Sequence, residues 1–357
     1  MASNQGVGTS MVHAIGGGDA ARVTLPSPYL LFLGDSTEPG YAKTAFGLRD
    51  WAADRCIGEF AIAGATVTTG LPRLSPAAAV AKGARSLVIG VANSGGFIAE
   101  SWIPALNEAL DAGLDIVSGM HSRLTDIPLL REAALRARRR LIDVRDPPHD
   151  IPIGTGIKRS GKRLLTVGTD CALGKKYTAL AIARSYCERG IDADFRATGQ
   201  TGIMIAGAGI PMDAVVSDFA AGAAEMLTPD AANDHWDIIE GQGSILHPVY
   251  SGVSLSLLHG SQPDVFVVCH DPTRKRLLGD EDFVVPSVDE IIDLTIRLGR
   301  RTNPNIRVGG ISLNTSGLSD AEGLAVMAKE SVRLGLPVAD PMRGGADFEM
   351  LIESCLK

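Results

Sequence analysis

Apolar runs alternate with amphipathic runs along most of the sequence, and the two kinds differ in period. The apolar runs are short and rich in Val, Ile and Leu, which is typical of strands buried on both faces of a sheet. In the first half the predicted strands are 29–35, 86–92, 115–119 and 141–146. In the second half they are 163–168, 193–199, 214–219, 237–241, 264–270 and 306–314.

The amphipathic runs between these strands predict helices. The clearest are 103–113, 129–140, 175–190, 288–300 and 319–335. Strands that alternate with helices form parallel sheets with helices on both faces, so we expect an α/β fold with doubly wound domains. The stretch 146–163 interrupts the pattern with Pro, Gly and charged residues. We therefore expect a flexible extension at 1–25, one domain at 26–150 and a second at 151–357.

Composition narrows the class of protein. Charged residues make up 21% of the chain, and the formal net charge is −7, which argues against a nucleic-acid partner. The five cysteines have no C-x-x-C spacing, so neither a disulfide framework nor a zinc site is expected. No apolar run approaches the roughly 18 residues that a membrane helix needs. We expect a cytoplasmic protein without a membrane partner.

The strongest local motif is the segment 167–180, in which a glycine-bounded loop joins a predicted strand to a predicted helix. Backbone N–H groups at such a helix start can converge on phosphate oxygens, and a lysine at the loop end adds charge. Five residues separate Gly168 from Gly174, whereas the common phosphate loop has four. The loop therefore predicts phosphate binding in a longer variant of the motif. The expected ligand contacts are Gly168, Thr169, Asp170, Cys171, Ala172, Leu173, Gly174, Lys175, Lys176 and Tyr177.

The residue after the loop lysine changes the expected ligand. Nucleotide hydrolases carry Ser or Thr there, and its hydroxyl binds Mg²⁺. Here the residue is Lys176, whose ammonium would repel a metal cation, and Thr178 lies on another side of the helix. We therefore expect no metal. A diphosphate held by cations fits an acyl carrier such as coenzyme A better than ATP.

Long motifs in both halves carry a family resemblance. They lie at 43–51, 90–102, 109–128, 168–180, 197–207, 218–227, 240–248, 310–320 and 335–345. Over these segments the sequence resembles the D-glutamate N-acetyltransferase-like family, and the loop itself resembles that of dethiobiotin synthetase-like proteins. The resemblance implies a Rossmann-like N-terminal domain, a P-loop NTPase-like C-terminal domain, and acetyl transfer from acetyl-CoA to the amino group of D-glutamate. It also implies that Asn314 contacts the adenine, and a homo-oligomer is expected.

Further candidates follow from position along the chain. An α-amine must lose a proton before it attacks a thioester, and Glu240 and His247 are the two candidate bases. The strand-end loop with Asn93, Ser94, Gly95 and Gly96 can take a substrate carboxylate on its amides. Arg196 and Arg343 are candidate guanidinium partners of a dicarboxylate.

Other interpretations stay open at this point. His121 and His270 also end predicted strands, Asp170 could cap the helix after the loop, and Cys171 could form an acyl-enzyme. The same loop could serve an ATP-dependent kinase or ligase, or a nucleotide-binding protein without catalysis. Thiol release from acetyl-CoA distinguishes the transferase from these two alternatives.

Overall fold

The computed structural model describes residues 25–91 and 95–357. Within these ranges the chain divides into two compact units, Leu25–Asp143 and Val144–Lys357. The expected N-terminal extension therefore lies outside the described residues, apart from Leu25. Each unit has its own sheet, and each is described by itself.

Unit 1 is built on a five-stranded sheet in which every neighbouring pair is parallel. Its strands are β1 (Tyr29–Phe32), β2 (Cys56–Phe60), β3 (Ser86–Ile89), β4 (Asp115–Ser118) and β5 (Leu141–Asp143). Its helices are α1 (Lys43–Trp51), α2 (Pro76–Ala81), α3 (Ile103–Ala112) and α4 (Pro128–Ala137). The strand order β2-β1-β3-β4-β5 reverses direction between β1 and β3. Open sheets of this order bind ligands at the carboxyl ends of the strands beside that reversal.

Unit 2 holds a six-stranded parallel sheet and a small antiparallel hairpin. The parallel strands are β6 (Lys162–Gly168), β7 (Ala193–Arg196), β8 (Trp236–Ile239), β9 (Val265–His270), β12 (Arg307–Leu313) and β13 (Val338–Ala339). The hairpin joins β10 (Arg276–Leu277) to β11 (Asp280–Val284). The sheet order is β13-β12-β9-β6-β8-β7, which places β6 between β9 and β8 near the centre.

Seven helices complete the described part of unit 2. They are α5 (Lys175–Glu188), α6 (Gln200–Ala206), α7 (Ala220–Leu227), α8 (Ser251–Ser261), α9 (Val288–Gly299), α10 (Asp320–Leu334) and α11 (Gly345–Leu356). Alternate residues of the central strands, among them Leu165, Phe266 and Ile311, join one core cluster with buried residues of α7, α8 and α9. Burial of both strand faces explains why these strands appear in the sequence as continuous apolar runs.

The expected fold class is confirmed, because both units are α/β with parallel sheets. One predicted strand is wrong: 214–219 forms short 3₁₀ turns at Met212–Ala214 and Ser217–Phe219 instead. Val216 is 67% exposed there, so this apolar residue does not belong to a buried strand. The described part of the chain contains no helix long and apolar enough to cross a membrane.

Candidate functional site

The predicted phosphate loop lies between the end of β6 at Gly168 and the start of α5 at Lys175. Ala172 and Gly174 both have positive φ angles, 52° and 101°. Backbone of this kind turns successive N–H groups toward one point. Among the described residues, no acceptor faces the N–H groups of Ala172, Leu173, Gly174 and Lys175. The loop therefore presents a concave set of amide donors at a helix N-terminus, where an anion binds favourably.

Both lysines after this loop lie close to it. Lys175 is 6% exposed, and its amine donates to the backbone carbonyl of Asp170 at 2.6 Å. Burial lowers the pKa of Lys175. Lys176 lies over the ring of Tyr177, 4.9 Å from its centroid. The hydroxyl of Thr178 is turned toward β12, where it shares a hydrogen bond of 2.7 Å with Ser312, so it does not face the loop donors.

Asp170 ties the loop to the segment after β9. Its Oδ1 accepts from the N–H of Cys171 at 2.6 Å, and its Oδ2 accepts from Arg274 and from the N–H of Leu278, both at 2.8 Å. Arg274 also donates to the carbonyl of Cys171 at 2.7 Å. Both bonds from Arg274 come from its Nη1. Its Nη2 has no hydrogen bond among the described residues. Sequence reasoning did not identify Arg274.

The segment 240–250 approaches β6 very closely. A Cβ on Gly241 would lie 1.6 Å from the carbonyl oxygen of Thr166, so only glycine fits there. The N–H of Gly241 donates to the hydroxyl of Thr166 at 2.9 Å. This contact places Glu240 and Gln242, which flank Gly241, at the carboxyl end of β6, beside the phosphate loop.

Glu240 is held by one carboxylate oxygen only. Its Oε2 accepts from the N–H groups of Thr198 and Gly199, at 2.9 and 3.0 Å, which precede α6. Its Oε1 has no hydrogen bond among the described residues. The side chain is 6% exposed, and burial raises the pKa of Glu240 against the opposing effects of Lys176 and the two amides. A fixed carboxylate with one open oxygen and a raised pKa has the properties of a general base.

His247 lies in the same segment and is 2% exposed. Its Nδ1 accepts from the N–H of Val249 at 3.1 Å, and its ring packs against Tyr250 with 4.7 Å between centroids. Its Nε2 is buried without a hydrogen bond and lies 3.7 Å from Oδ1 of Asp170. The two candidate bases thus both border the loop, but they present different atoms to it.

Asp170, Cys171 and His247 lie near enough to one another to resemble a metal site, with one atom of each within 4.8 Å of the others. Their other contacts do not suit a metal. A metal-bound histidine normally donates from its second ring nitrogen, whereas that nitrogen of His247 accepts from Val249. The carboxylate of Asp170 is already paired with Arg274. These contacts argue against a metal ion at this cluster.

Cys171 has the surroundings of an unreactive thiol. Burial raises its pKa, although the charge of Lys175 acts in the opposite direction. In a catalytic triad of Cys171, His247 and Asp170, the thiol and the carboxylate would contact opposite nitrogens of the imidazole. Here Asp170 lies on the Nε2 side, and Nδ1 is occupied by the N–H of Val249. The arrangement therefore favours direct transfer over an acyl-cysteine.

The predicted arginine partners have other contacts. Arg196 is 6% exposed and is paired with Asp237 and Asp194. Arg343 donates to Thr315, Leu318 and Asp320. Both guanidinium groups are thus bonded to other residues of unit 2, and none of these contacts supports a role in substrate binding.

The remaining candidates belong to both units, and each unit is taken by itself. Asn93 and Ser94 lie outside the described residues. In unit 1, Gly96 accepts at its carbonyl from the N–H of His121 at 2.7 Å, and with Gly95 it follows β3 at the edge where the strand order reverses. In unit 2, Asn314 follows β12 and donates its N–H to His270. Thr169, whose hydroxyl shares a hydrogen bond of 2.9 Å with His270, connects the loop to the end of β9.

Two family models match the sequence. A Rossmann-like domain of unknown function, DUF1611_N, matches residues 60–147, and a P-loop domain of unknown function, DUF1611_C, matches residues 152–350. The chain belongs to the DUF1611 family. A crystal structure of a DUF1611 family protein from Anabaena variabilis has a TM-score of 0.80 and 31% sequence identity, and the match covers 93% of this chain and 99% of that one.

Curated relatives of this DUF1611 chain carry an enzyme name. Two proteins named D-glutamate N-acetyltransferase, from Tritonibacter scottomollicae and a Pseudoalteromonas species, are each 48% identical to it. Both matches cover 90% of this chain, with 97% and 96% of the relatives. The chain is therefore an enzyme of the N-acetyltransferase class, and the resemblance seen in its motifs is confirmed.

Proposed function

We propose that this DUF1611 enzyme transfers an acetyl group from acetyl-CoA to the amino group of D-glutamate. The observation that carries the proposal is the phosphate loop. Four of its amide donors have no acceptor among the described residues, and two lysines stand where a nucleotide hydrolase has a lysine and a hydroxyl residue. The names of the curated relatives support acetyl transfer to D-glutamate, and the choice of acetyl-CoA as donor rests on the loop.

The loop suits a pyrophosphate that is held but not cleaved. Amides of a helix N-terminus and the ammonium of Lys175 supply positive charge to the phosphate oxygens. The second ammonium, on Lys176, occupies the position where a nucleotide hydrolase has its Mg²⁺-binding hydroxyl. Charge neutralisation by side chains is sufficient for a carrier whose phosphates do not react, because no negative charge develops on them during acyl transfer.

Glu240 is the group best placed to accept the proton of the substrate ammonium. Its open Oε1 takes the proton, and the free amine then attacks the thioester carbonyl carbon to form the new C–N bond. The carbonyl oxygen carries the negative charge of the tetrahedral intermediate until the C–S bond breaks. The C–S bond breaks as the nitrogen loses its second proton, and the departing thiolate of coenzyme A takes that proton and leaves as the thiol. The first proton stays on Glu240 until it is released to solvent. The raised pKa of Glu240 improves its strength as a base.

Arg274 is the guanidinium that remains for a ligand oxyanion. Its Nη1 is fixed by Asp170 and by the carbonyl of Cys171, and its side chain is 18% exposed. A guanidinium held along one edge can bind a carboxylate or phosphate along the other. Arg196 is buried in ion pairs with Asp237 and Asp194, and Arg343 is bonded through all three of its guanidinium nitrogens, so we place the charge recognition of the ligand on Arg274.

The proposal is tested by thiol release from acetyl-CoA in the presence of the D and L forms of glutamate and aspartate. Acetylation of D-glutamate, identified by mass spectrometry, is the expected result. Calorimetry with coenzyme A should give the same affinity with Mg²⁺ as with a chelator. Release of ADP from ATP without thiol release would instead indicate a kinase or ligase, and Mg²⁺-dependent ATP binding without turnover would indicate a nucleotide-binding protein.

A further inference from the structure

The histidine of the segment between β8 and α8 has one paired and one unpaired ring nitrogen. The Nδ1 of His247 accepts a hydrogen bond from the backbone N–H of Val249 at 3.1 Å. The Nε2 is fully buried and has no hydrogen-bond partner among the described residues. Packing of the ring against Tyr250 fixes its plane, so Nε2 points in one direction.

The paired nitrogen determines where the ring proton is. A ring nitrogen that accepts a hydrogen bond carries no proton, so the neutral ring of His247 carries its proton on Nε2. At that nitrogen the ring is a donor. To act as a base through Nε2, the ring would first have to move its proton to Nδ1 and lose the bond from Val249.

The unpaired donor faces the phosphate loop. Oδ1 of Asp170 is 3.7 Å from Nε2, too far for a hydrogen bond, and already accepts from the N–H of Cys171. A buried donor without an acceptor is unfavourable. What distinguishes Nε2 of His247 from other unpaired buried atoms of the chain is its position beside the amide donors of the phosphate loop, where an oxygen of a bound ligand would accept its proton.

We infer that the Nε2–H of His247 donates a hydrogen bond to an oxygen of the acyl donor and that His247 is not the base. The inference rests on the proposed function and deepens it. Two oxygens have the required chemistry: the thioester carbonyl oxygen, which becomes negative in the tetrahedral intermediate, and a pyrophosphate oxygen. Both accept a hydrogen bond from a neutral imidazole, and both belong to the same ligand.

Three substitutions distinguish a donor from a base and from a packing residue. His247→Gln keeps an N–H donor near the position of Nε2 but has no basic atom. His247→Met fills the volume with no donor, and His247→Ala removes both. We expect Gln to retain thiol release within about tenfold of the wild type, and Met and Ala to lose about 100-fold or more in kcat or in affinity. His259→Gln is the matched control, because His259 lies on α8 and its Nε2 bonds to the backbone carbonyl of Leu298 on α9.

Calorimetry with coenzyme A, which lacks the acetyl group, separates the two oxygens. If His247→Met binds coenzyme A as the wild type does but has a lower kcat, the acceptor is the thioester oxygen. If its Kd rises about 10- to 100-fold, the acceptor is a phosphate oxygen. Equal inactivity of the Gln and Ala variants, with folding verified by circular dichroism, would contradict the inference, as would full activity of the Met variant. An inactive wild type would contradict the proposed function instead.

Discussion

The two ends of the six-stranded sheet both carry buried charged groups, but they differ in which polar atoms stay unpaired among the described residues. At the amino end Nε of Arg163 has no hydrogen bond, although it lies 3.7 Å from Oδ2 of Asp237. Near the amino ends of β6 and β8, Asp237 is 1% exposed and contacts Arg163, Arg196 and His235. Burial alone would raise the pKa of Asp237, yet hydrogen bonds from His235 and Arg196 and the charge of Arg163 hold it below its usual range.

The carboxyl end differs in what its charged groups leave open. There Glu240 keeps Oε1 free, His247 keeps an unpaired Nε2, and the amides of Ala172 to Lys175 have no acceptor among the described residues. Burial of charge is therefore not by itself a sign of function. The contrast supports the proposal that the amino end stabilises the fold and that the carboxyl end binds the ligand.

Loss of the open carboxylate at Glu240 should have the largest effect. Glu240→Gln keeps the shape but has no basic oxygen, so kcat should fall by about 10²- to 10⁴-fold, the usual range for a general base. In the wild type, activity needs the carboxylate form. Because burial raises the pKa of Glu240, activity should decrease with falling pH already above the range of an ordinary glutamate.

A pH profile of kcat in the wild type and in Glu240→Gln checks this prediction. The variant should lose the acidic limb of the profile together with most of its activity. A variant that retains wild-type kcat with an unchanged profile would show that Glu240 only caps α6. The open oxygen of Glu240 would then no longer support a functional role for the carboxyl end.

The second prediction concerns the amino end. Asp237→Asn removes the negative charge that faces two buried arginines, and breaking a buried ion pair in this way typically costs about 3–5 kcal/mol of stability. Activity per folded molecule should change little, because the site lies at the other end of the strands. Denaturant unfolding measures the first effect and thiol release the second. Asp293→Asn, in a surface pair with Arg297, is the matched control and should cost less than about 1 kcal/mol.

His235 provides a smaller test of the same network. Hydrogen bonds to Asp237 and Asp192 raise the pKa of His235 to about 9, although its partial burial acts in the opposite direction. A folded-state pKa above the unfolded value of about 6.5 means that protonation stabilises the fold. This contribution is complete below about pH 6.5 and is lost as the pH rises through about 9.

The expected loss of stability over that interval is about 1 kcal/mol, because solvent around the 70%-exposed Asp192 screens part of the interaction. Urea unfolding at several pH values should show this decrease in the wild type and a flatter dependence in His235→Gln. An identical slope in both proteins would mean that other groups cause the pH dependence.

The sequence predicted much of the fold because its strands are buried on both faces and therefore continuous in apolar character. It missed β2, whose buried Glu59 interrupts the apolar pattern and is satisfied by the hydroxyl and N–H of Thr69. It predicted a strand at 214–219, since a short apolar run does not distinguish a strand from a turn. Pairing partners that are distant in sequence decide such cases.

The site was predictable where chemistry follows local position and not where it depends on distant contacts. The phosphate loop and Glu240 follow strand ends, so their positions at one edge of the sheet could be expected. Arg274 could not, because its partner Asp170 lies 104 residues away. The orientation of His247 depends on the N–H of Val249, and no residue pattern shows which ring nitrogen a backbone amide will face.

Cys171 should give the smallest effect, although it lies in the middle of the site. Its thiol has a raised pKa because it is buried. His247 offers the thiol no basic atom, since its ring proton is on Nε2 and its Nδ1 accepts from the N–H of Val249. Direct attack by the amine needs no thiolate, so Cys171→Ala should keep kcat within about threefold of the wild type. Intact-protein mass spectrometry after mixing with acetyl-CoA alone should show no added acetyl group. An acetylated wild type that becomes unmodified and inactive as Cys171→Ala would show that the carboxyl end operates through a covalent intermediate, and the unpaired donor of His247 would then serve the acyl-enzyme.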